Sequence, residues 1–178
     1  YDEALREVHR RYEENTDAYF FADQYSNDDN WMAHYETTAQ EILEQAPDLT
    51  YFVCGIGTGG SITGIGRRLK EKIPEVTVVS LRPERFPGIE GLKPLGEPED
   101  VVPEILDERV IDYYVDVTAE QAREYCHRLA QAGHFVGQSS GAYLAGVERV
   151  LERHPDASVV TLLNDTGERY GGTGLWKD

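Results

Sequence analysis

Tyr51-Phe52-Val53-Cys54-Gly55-Ile56-Gly57-Thr58-Gly59-Gly60-Ser61-Ile62-Thr63-Gly64-Ile65-Gly66-Arg67-Arg68-Leu69-Lys70 decides the reading of this 178-residue chain. A short aromatic and β-branched run, Tyr51 to Cys54, meets a glycine cluster. Ile62, Ile65 and Leu69 then recur at helical spacing as far as Lys72. That order predicts strand, tight loop, helix. Glycine lets backbone N–H groups approach a ligand closely, and a helix N-terminus adds unpaired donors and partial positive charge. The loop therefore suits a phosphate, and Thr58, Ser61 and Thr63 add hydroxyls. A glycine turn set by packing alone would give the same letters. Glycines in the first turns of a helix weaken it, however, and that cost favours an anion site.

Outward from this stretch, strands and helices alternate. Residues 3 to 14 carry helical spacing (Ala4, Leu5, Val8, Tyr12), and Tyr19-Phe20-Phe21-Ala22 predicts a short strand. Asp23 to Trp31 reads as a loop and hinge, and His34 to Ala46 as a helix closed by Pro47. Val76 to Leu81 has the apolar character of a buried parallel strand. The connection from Pro83 to Pro103, rich in proline and holding Gly88, Gly91 and Gly96, is long and irregular, as functional loops often are. Tyr113 to Val117 predicts a strand, and Thr118 to Gln121 a capping box opening a helix that ends near Gly133. Gly137 to Gly141 turns into a helix running to about Arg153. Val159 to Leu163 predicts a last buried strand before Asn164 to Thr173. The alternation implies an α/β fold, a parallel sheet covered by helices on both faces.

Ligands in such sheets bind beyond the carboxyl ends of the strands. Gly55–Ser61, Gly137–Gly141 and Asn164–Thr173 all meet that description, and all are rich in small or hydroxyl-bearing residues. Such loops suit a polar phosphorylated cofactor better than a metal. The five histidines lack ligand spacing, so no metal site is expected and most are read as surface or packing residues. Gly55, Gly57 and Gly60 also fit the dinucleotide fingerprint, with Arg82 in place of the expected acid. An NADP-binding domain thus stays open, although it leaves the other two loops without a role.

Charge excludes several partners. The net charge is -16, and Lys70, Lys72, Lys93 and Lys177 are the only lysines. Such a surface repels nucleic acid and anionic membranes. No apolar run approaches the length of a membrane span. Scarce lysine with abundant acid fits adaptation to high salt and an ordinary acidic cytoplasmic protein equally. Cys54 and Cys126 fall within a strand and a helix, as buried free thiols of a reducing compartment would.

The combination also resembles a family. Gly57-Thr58-Gly59-Gly60-Ser61 followed by Ile62-Thr63-Gly64 is similar to the phosphate loop of the cysteine synthase family of pyridoxal-phosphate enzymes. Asp23-Gln24-Tyr25-Ser26-Asn27 and Ala33-His34-Tyr35-Glu36-Thr37-Thr38 resemble that family's segment entering the large domain. Pro87-Gly88-Ile89-Glu90-Gly91-Leu92-Lys93, with Val102 to Ile105 downstream, is similar to its substrate-side connection. Val136 to Gly141 and Asp165-Thr166-Gly167-Glu168-Arg169-Tyr170 complete the set in order, over residues 19 to 176. The Gly88-to-Lys93 version most resembles the cysteine synthase B or O-phosphoserine-using branch.

The resemblance implies the three-layer large domain of a tryptophan synthase β-like fold over 29–178. Residues 1–28 would be the end of the small amino-terminal domain and a hinge. Gly57, Thr58, Gly59, Gly60 and Ser61 would hold the phosphate of pyridoxal 5'-phosphate, Thr166 would face its ring nitrogen, and Gly88 would line the substrate pocket. The implied activity is β-replacement on an activated serine, O-acetylserine or O-phosphoserine, by sulfide to give cysteine. A cytoplasmic protein, homodimeric when full length, is the implied setting. The family's Schiff-base lysine and its substrate-carboxylate loop match nothing here, so the resemblance implies a partial enzyme with no catalytic residue in this chain. A cystathionine β-synthase, a serine/threonine dehydratase, or a non-catalytic anion-binding domain are the alternatives.

Overall fold

Tyr51–Gly55 forms β1, an interior strand of a four-stranded, all-parallel sheet. Its companions are β2 (Thr77–Pro83), β3 (Tyr113–Val117) and β4 (Val159–Thr161), in the spatial order β3-β2-β1-β4. The ladder sets Tyr51 opposite Thr77 on one side and Val159 on the other. This architecture comes from a computed structural model that describes residues 2–98 and 100–177. The expected domain limits at Tyr1 and Asp178, Glu99 of the irregular connection and the side chain of Leu5 lie outside the described residues.

The helices are α1 (Asp2–Glu14), α2 (Asp29–Ala33), α3 (Ala39–Gln45), α4 (Gly60–Lys72), α5 (Ala119–Gln131) and α6 (Gln138–Arg153). A π turn, His34–Thr38, joins α2 to α3. α6 packs along all four strands with α5 behind it, while α4 packs on β1 and is covered by α2, the π turn and α3. At Gly146 the backbone of α6 comes so close to the sheet that a Cβ would sit 3.2 Å from Val53 Cγ1. Phe52, Val53, Val78, Val79, Leu81, Ile62, Ile65 and Leu69 are at most 1 % exposed. Each contributes about 1.5–3 kcal/mol of burial free energy, against the entropy of ordering it. α5 opens on the expected capping box. Thr118 Oγ1 accepts from Gln121 N–H at 3.2 Å, and Gln121 Oε1 accepts from Thr118 N–H at 3.0 Å.

Four expectations need correction. Tyr19–Ala22 is not a strand. No strand of the described residues lies alongside to complete a ladder, which an extended segment needs. Phe21 instead turns onto α1, its ring 4.9 Å from His9 and 5.8 Å from Tyr12, and Phe20 is 91 % exposed. The helix expected from His34 begins at Asp29 and passes through the π turn. β2 runs on to Pro83 because β3 continues the ladder, Arg82 opposite Asp116 and Pro83 opposite Val117. β4 is short and half-buried rather than a buried strand to Leu163. It is an edge strand bonded to β1 alone, and Leu163 is 50 % exposed.

Both cysteines are free and buried. Burial pushes the Cys54 thiol up to about 12 and the Cys126 thiol up to about 11, so both stay protonated and inert. Among the described residues no helix is long and apolar enough to cross a membrane.

Candidate functional site

The strand order places a topological switch between β1 and β4. The chain leaves β1 through α4 toward β2 and β3, then returns through α5 and α6 to the opposite side of β1. Crevices form beyond the carboxyl ends of strands at such a point. Gly55–Ser61 leaves β1 there, and Asn164–Thr173 follows β4.

Gly59 is the turning residue. Its φ of +87° belongs to the left-handed region, and it caps α4 with no side chain. The N-cap thus offers no side-chain acceptor: Gly60 N–H reaches Thr58 Oγ1 at 3.4 Å, and the next N–H groups of the first turn have no capping side chain. Gly57 lies against Gly91, whose carbonyl oxygen would be 2.8 Å from a Cβ. Thr58 Oγ1 accepts from Asn30 Nδ2 at 2.9 Å, and the same amide donates to Gln24 O at 2.7 Å. Ser61 Oγ is 3.1 Å from His34 Nε2, and His34 Nδ1 is 3.0 Å from Thr38 Oγ1. The other glycines of α4 have a packing reason. Gly60 abuts Asn30, Gly64 abuts the Trp31 carbonyl, and a Cβ on Gly66 would lie 2.9 Å from Val110 Cγ2. Helix-weakening glycines, taken in the sequence as a sign of an anion site, thus partly serve the close contact of α4 with its covering layer.

The remaining loops join this one through the connection after β2. A Cβ on Gly91 would lie 3.7 Å from Ser139 at the start of α6. Lys93 N–H donates to Ile56 O at 2.7 Å, and Glu90 N–H to Gln138 Oε1 at 3.0 Å. Asn164 ties the turn after β4 to α6. Its N–H donates to Ser140 Oγ at 3.0 Å and its Nδ2 to Ser139 Oγ at 3.3 Å. Tyr170 OH donates to Asp165 Oδ2 at 2.6 Å, and burial together with that carboxylate pushes the phenol above its usual range. The three loops singled out in the sequence do meet.

Between them lies an open groove of about 1280 Å³. Gly57, Thr58 and Gly88 line it, with Gly91, Lys93 and Gln138. Gly59, Gly60, Ser61 and Thr166 are outside its lining. Gly59 and Gly60 are buried behind Thr58, and Thr166 is exposed, pairing through its backbone with Val136. The Thr166 hydroxyl lies near the Glu168 carboxylate and holds that acid below its ordinary range. Lys70 binds Asp112 at 2.8 Å at the far end of α4. Lys93 Nζ donates to Val101 O at 3.1 Å and lies 4.8 Å over the Tyr25 ring. Asn30, His34 and Asn164 were missed as site residues. The partners that tie them to the site, Thr58, Ser61 and Ser140, lie 24 to 28 positions away, so no local pattern reveals them.

A phosphate monoester fits this cradle. An uncapped helix end supplies donors and partial positive charge, Thr58 and Ser61 offer hydroxyls, and Gly57 leaves the approach free of a side chain. The chain also matches the family model described as pyridoxal-phosphate dependent enzyme, over residues 1–165. Cysteine synthase B of Escherichia coli (strain K12) is 39% identical over 156 residues, covering 86% of this chain and 51% of that protein. A crystal structure of an O-ureido-L-serine-bound mutant of O-ureido-L-serine synthase superposes with a TM-score of 0.86 at 37% identity. It covers 98% of this chain and 56% of that one. The cysteine synthase of Entamoeba histolytica gives a TM-score of 0.86 at 28% identity, covering 98% and 54%. The chain spans about half the length of the curated relatives it matches.

Proposed function

The chain belongs to the pyridoxal-phosphate-dependent enzymes, in the cysteine synthase family, and on that premise we propose that it forms the cofactor-phosphate side of an enzyme making cysteine from an activated serine and sulfide. The observation that carries this reading is the amino terminus of α4, whose N-cap is the left-handed Gly59 with no side chain, beside a groove at the switch between β1 and β4. Gly57, Thr58, Gly59, Gly60 and Ser61 bind the phosphate through N–H and hydroxyl donors, Thr58 held by Asn30. Thr166 is the proposed partner of the ring nitrogen, its hydroxyl turning there from Glu168, and Gly88 the proposed border of the substrate. The cofactor, when bound, supplies the electron sink that makes loss of the serine β-substituent feasible. This chain's residues bind and orient it. O-acetylserine or O-phosphoserine is the proposed donor, and a cytoplasmic homodimer the proposed assembly. The name of O-ureido-L-serine synthase favours a second reading for that relative's chemistry, in which another nucleophile replaces sulfide.

None of Lys70, Lys72, Lys93 and Lys177 is proposed to carry the cofactor. Lys70 is engaged by Asp112, Lys72 lies roughly 18 Å from the phosphate end of α4 at 1.5 Å per residue, and Lys93 is held by Val101 and Tyr25. The test supplies the intact protein with pyridoxal 5'-phosphate, sulfide and either O-acetylserine or O-phosphoserine. Cysteine should form, and borohydride reduction with mass mapping should place the cofactor on a lysine outside these four. Attachment to one of the four with turnover, or no cysteine from either donor, would overturn the reading.

A further inference from the structure

We propose that His34 is a positioning residue for the phosphate loop, holding the Ser61 hydroxyl as a donor aimed at the bound anion. The inference rests on the phosphate-loop reading above and adds to it a residue from a different element. His34 and Thr38 are the first and last residues of the π turn, a feature that inserts one residue into a helix and is frequent at functional sites. The turn holds the imidazole between two hydroxyls, Thr38 Oγ1 at 3.0 Å from Nδ1 and Ser61 Oγ at 3.1 Å from Nε2.

Proton bookkeeping then constrains the chain. A phosphate oxygen facing Ser61 can only accept, so the single Ser61 O–H must point at it. His34 Nε2 must then donate to Ser61 Oγ, since one partner of that contact has to supply a hydrogen. In a neutral ring this leaves Nδ1 as acceptor, satisfied by the Thr38 O–H. The order is Thr38 to His34 to Ser61 to anion, each group donating to the next. Without an anion the opposite order is equally open, Ser61 donating to Nε2 and Nδ1–H to Thr38. An anion at the loop therefore selects the Nε2–H tautomer, and a doubly protonated imidazole also donates to Ser61, with Thr38 then accepting from Nδ1–H.

Binding and protonation are thereby linked, and linkage is reciprocal. His34 is half-buried, and burial lowers its pKa from the usual value, so the ring is neutral at pH 7 in the anion-free protein. The charged groups on the elements packed against it are engaged elsewhere or exposed. On α4, Arg67 pairs with Asp107 at 2.8 Å and Arg68 lies over Tyr35, 3.7 Å from Glu71. Lys70 pairs with Asp112, and Lys72 at the end of α4 is exposed. Asp29 on α2, Glu36 in the π turn itself, and Glu41 and Glu44 on α3 are exposed. A bound anion is then the charge that acts on the ring, and it should raise the His34 pKa.

Sulfate is the probe, because it is a tetrahedral oxyanion that does not itself titrate near neutrality. In the intact protein freed of cofactor and uniformly labelled with 15N, sulfate should shift the Gly57–Ser61 amides, drive His34 to the Nε2–H tautomer and raise its pKa. His9, His127, His134 and His154 serve as internal controls. Ser61→Ala should uncouple His34 from sulfate. Thr38→Val should remove the tautomer bias and weaken sulfate binding about twofold to tenfold, the worth of one hydrogen bond. An unchanged amide spectrum elsewhere certifies the fold of each variant. Loop amides that respond while the tautomer and pKa of His34 do not would overturn this proposal and leave the phosphate loop standing. The same holds if Ser61→Ala leaves the His34 response intact. A loop with no response to sulfate would overturn both.

Discussion

At Thr166 the relevant atom is one hydroxyl with one hydrogen. The hydroxyl lowers the pKa of Glu168, so that carboxylate competes for the same hydrogen. Donating to a pyridine nitrogen requires the hydroxyl to turn away from Glu168, which is exposed and readily solvated. The net worth of the exchange is that of one neutral hydrogen bond, about 0.5–1.5 kcal/mol. In the intact enzyme, Thr166→Val should therefore retain cofactor, judged by bound-cofactor absorbance, and lower turnover about twofold to tenfold. Thr166→Ser should stay near the parent rate. The phosphate, meeting several charge-assisted donors at a helix end, dominates affinity by comparison. Loss of the cofactor from Thr166→Val, or turnover equal to the parent, would remove Thr166 from the site.

On the scale of elements, α4 shows what its letters could and could not reveal. Ile62, Ile65 and Leu69 announced a buried helical face, and all three are fully buried. The glycines announced a tight loop, and Gly59 is indeed left-handed. Whether a glycine serves a ligand or a neighbour depends on what lies opposite, and for Gly60 and Gly64 that is Asn30 and Trp31, on a helix expected to be a loop. The segment Ser26-Asn27-Asp28-Asp29-Asn30 has turn composition, so local propensity gave no hint that Asp29 starts a helix. Its layer packs on α4, and tertiary contact overrides propensity there. The strand expected at Tyr19–Ala22 failed for the converse reason, a β-like composition without a partner strand. Gly64→Ala follows from the same geometry. Alanine is the better helix former by about 1 kcal/mol. Its methyl would nevertheless meet the Trp31 carbonyl and lie 2.9 Å from both His34 Cβ and Tyr35 N, backbone and near-backbone atoms that cannot swing aside. Overpacking of this kind costs about 1–3 kcal/mol, so the substitution should lower the denaturation midpoint despite its helical advantage. A stabilised Gly64→Ala protein would show that α4 and the π turn are not in close contact.

For the molecule as a whole, charge is the property that contacts do not explain. The net of -16 is spread over a chain with 33 acids and 17 Lys and Arg. Many of the basic groups are already engaged, as in Arg10 with Glu7 and Glu14, Arg85 with Asp100, and Arg67 and Arg109 with Asp107. Salt acts on these two populations in opposite directions. It weakens the local pairs, which on an exposed surface are worth about 0–1 kcal/mol each at most. It also screens the repulsion among the surplus acids, which extends over about 30 Å at 0.01 M but about 3 Å at 1 M ionic strength. The pairs with short contacts and a shielded acid, such as Arg85 with Asp100 and Arg67 with Asp107, resist screening better than the diffuse repulsion does. Relief of repulsion should therefore prevail, and the melting temperature should rise steadily from 0.01 M to 1 M KCl. Potassium acetate at matched ionic strength should give the same rise, since the effect comes from screening and not from a chloride site. A flat or falling midpoint in both salts would mean that the local pairs outweigh the surplus charge, and adaptation to high salt would lose its physical basis in this chain.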